Sequence, residues 1–163
     1  MEKPYQAPAA TAIGHVHLKV GDIDRALSFY SGVLGFDQVM RLGDQAAFVS
    51  AGGYHHHIGL NTWHSRNGTP PPAHTIGLYH VAIRYPTRRD LAAAVRRVID
   101  AGIALQGVAD HGVSESIYLA DPDGNGIELT RDRPISEWPR DAHGNIAMQM
   151  AEPLDLEALL NEV

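Results

Sequence analysis

Two stretches of this chain open alike: Ile13-Gly14-His15-Val16-His17-Leu18-Lys19-Val20 and Leu78-Tyr79-His80-Val81-Ala82-Ile83-Arg84-Tyr85 carry a histidine at the matching place. An internal repeat constrains a fold more tightly than composition does, because each copy must adopt the same local plan. After each opening strand comes a helix-period segment and then three strand-like pieces. The first copy closes on Ile58-Gly59-Leu60-Asn61-Thr62 and the second on Ile127-Glu128-Leu129-Thr130. The plan is therefore βαβββ twice, an α+β fold, over residues 13–62 and 77–131. Residues 1–12 form an N-terminal extension, and 132–163 a tail with a short helix expected at Leu154–Leu160. The connector, 63–76, contains Pro70, Pro71 and Pro72 in a row, which makes it extended and excludes a helix or inner strand there.

Local chemistry supports this plan. In the first strand Val16, Leu18 and Val20 share one face and His15, His17 and Lys19 the other, the period of a half-buried strand. Asp22 is the expected N-cap of a helix whose stripe is Ile23, Ala26, Leu27, Tyr30 and Leu34, stopped by Gly35. In the second copy Thr87 with Asp90 signals a cap, Leu91, Val95, Val98 and Ile99 form the stripe, and Gly102 ends it. Gly43-Asp44 fits a tight turn between strands near 36–42 and 45–51, and Asp121-Pro122-Asp123-Gly124-Asn125-Gly126 is a turn cluster delivering the last strand. Both helices thus cover one face of their sheets, leaving His15 and His80 on the uncovered face, the geometry of a cup.

Composition narrows the chemistry. Thirteen Lys and Arg against nineteen Asp and Glu give a net charge of −6, the wrong sign for an electrostatic nucleic-acid binder. With no cysteine, disulfides, thiol nucleophiles and Cys-type zinc sites are excluded, leaving imidazole and carboxylate as the strong metal ligands. Histidine is abundant: there are ten, three of them consecutive at His55, His56 and His57. No apolar run approaches the roughly 18 residues of a membrane span, and MEKPYQAPAATA lacks the apolar middle of a signal peptide, so a cytoplasmic setting is expected.

Two βαβββ modules, an opening histidine in each, the DRALSFYSGVLGF helix and the DPDGNGIEL ending make the sequence resemble the vicinal oxygen chelate superfamily, which includes glyoxalases, antibiotic-resistance proteins and extradiol dioxygenases. The resemblance covers about 13–131 and implies an eight-stranded cup around a divalent metal. By position it implies His15, His80 and Glu128 as ligands, while the fourth ligand position of the glyoxalase-like members falls on Gly59, which has no side chain. Two histidines and one carboxylate with open neighbouring positions suit non-heme Fe(II) oxygenases. Within the superfamily that set resembles the extradiol catechol dioxygenases, which implies Fe(II), or alternatively Mn(II), and an aromatic diol and O2 as substrates.

The same resemblance extends to the pocket. His111-Gly112-Val113-Ser114 followed by Tyr118, ten residues before Glu128, is similar to the extradiol signature in which a His and a Tyr line the site. His56 followed by His57, Ile58, Gly59 and Leu60 is similar to the stretch carrying the acid–base histidine. Strand alternation complicates the choice: if Gly59 faces inward, His57 should too and His56 should not, unless a bulge intervenes. His56 is the first choice and His57 the reserve. Asp121 and Asp123 read as turn builders, His17 as a pocket wall or surface residue, and Trp63 either as a pocket cap or as packing beneath the connector. The competing functions are a lyase, isomerase or thiol transferase of the same superfamily and a non-catalytic small-molecule binder. A homodimer or higher homo-oligomer is the expected assembly.

Overall fold

In the computed structural model, residues 4–72, 74–150 and 152–163 are described; residues 1–3 of the expected extension, Ala73 of the connector and Ala151 of the tail lie outside them. The repeat is realised as two four-stranded sheets. The first joins β1 (Val16–Lys19), β2 (Asp37–Leu42), β3 (Ala46–Ser50) and β4 (Ile58–Asn61) in the order β1-β4-β3-β2. The second joins β5 (Val81–Arg84), β6 (Gly107–Asp110), β7 (Ser114–Ala120) and β8 (Gly126–Asp132) in the order β5-β8-β7-β6. In each sheet the first strand runs parallel to the last, and the middle strands are antiparallel.

The capping signals act as the sequence suggests. Asp22 accepts from the Arg25 N–H at 2.8 Å at the start of α1 (Ile23–Leu27), and Thr87 accepts from the Asp90 N–H at 3.1 Å at the start of α2 (Arg88–Asp100). Gly35 and Gly102 stop the two helical segments at φ 80° and 72°, where a side chain would be strained. One expectation changes in detail: the first helix is not α-helical to its end. From Ser28 to Val33 it widens into a π-helix, with the Leu34 N–H reaching Phe29 O at 2.9 Å. Phe29 and Tyr30 are both buried there, packed edge to face with ring centroids 4.9 Å apart.

The two modules share one core, in which Leu18, Ile23 and Phe29 of the first meet Leu91, Val95, Ile127 and Leu129 of the second. Polar links lock their relative positions. The Tyr30 hydroxyl donates to Asp121 Oδ2 at 2.9 Å, and the Gly21 N–H and the Arg25 guanidinium donate to Asp123 Oδ1 at 2.9 and 2.6 Å. Burial, and then the charge of Asp121, raises the Tyr30 hydroxyl far above the ordinary phenol range, so it stays a donor. Asp121 also builds the expected turn, accepting from the N–H groups of Asp123 and Asn125 through Oδ1. The tail folds back on its own chain: Glu152 pairs with Asp110 along the free edge of β6, and α3 (Leu156–Leu160) buries Leu159 against α2. Arg88 ties it down by bonding both Glu115 and Glu162.

Candidate functional site

The second module gathers four of the six residues singled out in the sequence. Glu128 lies mid-strand on β8, opposite Tyr118 on β7 and Ala82 on β5, so all three share one sheet face. Ala82 contributes almost no bulk, which leaves room for the Glu128 side chain to meet His80, just ahead of β5. The His80 Nε2 to Glu128 Oε2 distance is 2.9 Å, and Glu128 is 9% exposed. The Tyr118 hydroxyl lies 3.4 Å from Glu128 Oε1 but only 2.7 Å from His111 Nε2. His111 begins the β6–β7 hairpin, where its backbone N–H donates to Ser114 O at 2.8 Å.

The tail sets the orientation of His111. Its Nδ1 lies 2.9 Å from the Gln149 carbonyl oxygen, while the Gln149 N–H donates to His111 O at 3.0 Å. A carbonyl can only accept, so Nδ1 carries the proton and Nε2 of the neutral ring accepts the Tyr118 O–H. Burial, then the negative charge of Glu128, raises the Tyr118 hydroxyl above its ordinary value and keeps that proton in place. No pattern in the sequence pointed to Gln149, because it acts through its main chain and sits far along the tail.

The first module gathers the other two. His15, just ahead of β1, packs against His56 at a centroid distance of 4.4 Å with the rings tilted by 48°, and His56 packs edge-on to Phe48 at 5.1 Å. His55 joins them, its Nδ1 2.8 Å from that of His56. No bulge is needed to bring His56 to this side. Strand β4 begins only at Ile58, so the alternation argument does not extend back to residues 55–57. His57 is engaged in local structure instead: its Nδ1 accepts from the Ala51 N–H at 3.3 Å and lies 3.1 Å from Ser50 Oγ. Partial burial first, then repulsion from a charged His15, His55, His17 or His57, lowers the His56 imidazole below its usual value. His17 is lowered likewise, by burial and by His15.

Gly59 proves to be occupied space. Its register partner on β1 is His17, and a Cβ built on Gly59 would lie 2.9 Å from ring atoms of His17. The His17 ring also lies 5.7 Å from Phe48 and 5.5 Å from that of Trp63, which is half-exposed beside it. A cavity of about 490 Å³ is lined by residues of both modules; His15, Phe36, His57, Ala82, Arg84 and Tyr85 are among its walls. Among the described residues, no group of three or more His, Asp or Glu side chains is assembled to hold a metal ion. His80 and Glu128 on their own fit one: two ligands about 2.1 Å from an ion and about 90° apart are separated by roughly 3 Å, against the observed 2.9 Å. His80 Nδ1 is buried without a partner, and the ring is held on the polar side by the Nε2 contact with Glu128.

The paired-module α+β fold defines a class of proteins, and sequence comparison identifies it. Residues 12–129 match the Glyoxalase/Bleomycin resistance protein/Dioxygenase superfamily, and the chain belongs to it. It is 44% identical over 152 residues to a catechol-2,3-dioxygenase of Bacillus subtilis (strain 168), covering 93% of this chain and 52% of that protein. It is 33% identical over 122 residues to a biphenyl-2,3-diol 1,2-dioxygenase of Rhodococcus globerulus, covering 74% of this chain and 63% of the relative. The chain thus spans between half and two thirds of the length of these relatives. The fold is shared with a lactoylglutathione lyase from Agrobacterium tumefaciens at a TM-score of 0.60 and 22% identity, covering 76% of this chain and 96% of that one. Among the described residues no helix is long and apolar enough to cross a membrane.

Proposed function

We propose that this protein is an extradiol-type oxidoreductase that opens the ring of a catechol-like aromatic diol beside its hydroxyls, using O2 and a non-heme Fe(II), with Mn(II) as the alternative metal. The observation that carries this reading is the continuous network His80–Glu128–Tyr118–His111 on one face of the second sheet, with contacts of 2.9, 3.4 and 2.7 Å. It is supported by the 44% identity to a catechol-2,3-dioxygenase over nearly the whole chain. His80, Glu128 and His15 would hold the metal. When bound, the ion would chelate the two diol oxygens and carry electron density between diol and O2.

The chain's own groups have defined tasks. Two neutral imidazoles and one carboxylate leave a divalent ion with net positive charge, so the centre favours a deprotonated diol. Tyr118, kept protonated by its raised pKa, gives its one proton to His111 Nε2, so its oxygen, beside Glu128, would accept a hydrogen bond from a hydroxyl of the bound diol. His111 accepts at Nε2 and keeps that hydroxyl oriented. His56, with an imidazole lowered below its usual value, is neutral at pH 7 and able to take a proton from the incoming diol and return it later. A metal-dependent lyase, isomerase or thiol transferase of the same superfamily would want a fourth protein ligand at position 59, where this chain has a glycine packed against the His17 ring. The test is direct. Protein loaded anaerobically with Fe(II) and mixed with catechol in air should turn yellow as the ring opens, with one O2 consumed per diol; a colourless mixture with no O2 uptake across a panel of diols would overturn the assignment.

A further inference from the structure

The turn that delivers β8 is built a second time, in the tail. Asp121-Pro122-Asp123-Gly124-Asn125 and Asp141-Ala142-His143-Gly144-Asn145 share the pattern Asp-x-x-Gly-Asn. They share its bonds as well. In each, the aspartate N–H donates to the asparagine carbonyl at 2.9 Å, and the glycine N–H donates back to the aspartate carbonyl at 3.0 Å. In each, the carboxylate accepts through Oδ1 from the N–H two residues on and from the asparagine N–H, and through Oδ2 from the asparagine amide. Gly124 and Gly144 both stand at φ 82°. The first copy also ties the modules together, because Asp121 receives the Tyr30 hydroxyl and Asp123 the Gly21 N–H. Asp141 is exposed, and the bonds of its carboxylate stay within its own turn, so the use of the second copy lies in the hairpin that it closes.

That hairpin stands on the loop that carries His111. The Arg140–Ile146 bridge and the Ala147 N–H on Pro139 O at 2.8 Å close its stem. Beneath the stem is Gly112: a Cβ built there would meet Pro139 Cγ at 2.9 Å and Gln149 Oε1 at 3.4 Å, and its φ of 73° favours glycine. Just past the stem Gln149 takes hold of His111 through both main-chain groups, its N–H on His111 O and its carbonyl on the ring Nδ1. A segment that merely covered the β6 edge would need main-chain pairing alone, as between Glu152 and Asp110. Here one bond goes instead to a side chain of the pocket. An imidazole whose Nδ1 faces water adopts either neutral tautomer; with the proton on Nε2 it would donate to the Tyr118 oxygen and block the acceptor that the diol needs. We propose that the hairpin and the residues up to Gln149 form a strap that positions the His111–Tyr118 pair, with Asp141 and Gln149 as positioning residues acting on Tyr118 through His111. This rests on the reading above of that pair as pocket residues and adds what holds them in register.

Ring-nitrogen NMR of the full-length, metal-free chain tests this, with the His111 signal assigned by its loss in His111→Gln. Wild type should show a protonated Nδ1 and a bare Nε2. Asp141→Ala, which opens the exposed turn, and Gln149→Pro, which deletes the N–H paired with His111 O, should each give a mixture of both tautomers. Glu162→Ala, which releases only the end of the tail from Arg88, should leave the signal as in wild type. In Fe(II)-loaded protein, Asp141→Ala should lower kcat by between about tenfold and about 10²-fold at equal metal content and little-altered KM, the cost of a misplacement of about 1 Å. An unchanged His111 signal in both Asp141→Ala and Gln149→Pro overturns the inference, as does an equal disturbance in Glu162→Ala. A wild-type chain that opens no diol overturns the dioxygenase reading instead, and the NMR signal still decides the strap.

Discussion

The two modules have the same strand order and the same helix placement but divide the chemistry unequally. Opposite Gly59 on β4 stands His17 on β1; at the equivalent pair in the second module, Glu128 on β8 stands opposite Ala82 on β5. Each pair has one substantial side chain and one minimal one, on opposite strands, so the same volume over the sheet is filled from β1 in one module and from β8 in the other. The residues facing the opening histidines differ too. Extending the registers by one residue sets His15 against His57 and His80 against Gly126. The first module becomes a cluster of aromatic and imidazole rings, and the second a hydrogen-bonded chain of carboxylate, phenol and imidazole. Duplication supplied the scaffold, and exchange of large and small residues across one ladder gave the two modules different side chains over the same sheet face.

The largest expected effect comes from removing His56, the proposed proton carrier, from the first module while leaving the second untouched. His56→Phe should retain bound metal but lower kcat by about 10²–10⁴-fold, the usual contribution of a positioned acid–base group. Metal analysis with steady-state kinetics on a diol that wild type opens would check it. Undiminished turnover would transfer the proton role to the second module and erase the division between them.

A smaller effect is expected from disturbing the exchanged pair. Gly59→Ala places a methyl about where the His17 ring now lies, with 2.9 Å to the nearest ring atoms. The ring sits at the end of a flexible side chain and can move, so the substitution should cost about 1–2 kcal/mol, the lower part of the overpacking range. In a His17→Ala background the same change should cost nearly nothing. A double-mutant cycle from urea midpoints gives the coupling between the two positions. Equal costs in both backgrounds would mean that His17 and Gly59 are independent and that the large-for-small exchange has no energetic content.

Much of this was legible in the sequence, for identifiable reasons. The repeat and the caps at Asp22 and Thr87 follow from periods of two and 3.6 and from residues with few conformational options. What those periods do not encode is how two modules slide against each other. That offset is set by Tyr30 on Asp121, Asp123 on Gly21 and Asn125 on Lys19, contacts between segments far apart in the chain. Among the described residues His15 does not join His80 and Glu128 in a group of three, although His15 and His80 are equivalent in the repeat. Alternation cannot decide between His56 and His57, since the rule holds only inside a strand and β4 starts after both. The π-helical turn at Ser28–Val33 has no signature in the apolar stripe, which an α-helix and a π-bulge satisfy equally well.

The mildest expected effect distinguishes the modules by acidity. His17 and His56 both titrate below the ordinary histidine range, through burial first and then through repulsion from neighbouring imidazoles. A histidine with a lowered folded pKa holds fewer protons than its unfolded counterpart just below pH 6.5. The stability it contributes is present above the unfolded pKa near ~6.5 and is lost as pH falls through the folded one. Metal-free protein should therefore show a falling Tm from about pH 7 to about pH 5, in a range where carboxylates are still ionised. The fall should be shallow, because both rings are only partly shielded from water. His17→Ala with His56→Phe should flatten that slope, whereas Tyr118→Phe in the second module should leave it unchanged. A slope insensitive to the imidazole pair would place the acid sensitivity outside the first-module cluster and remove the repulsion assigned to it.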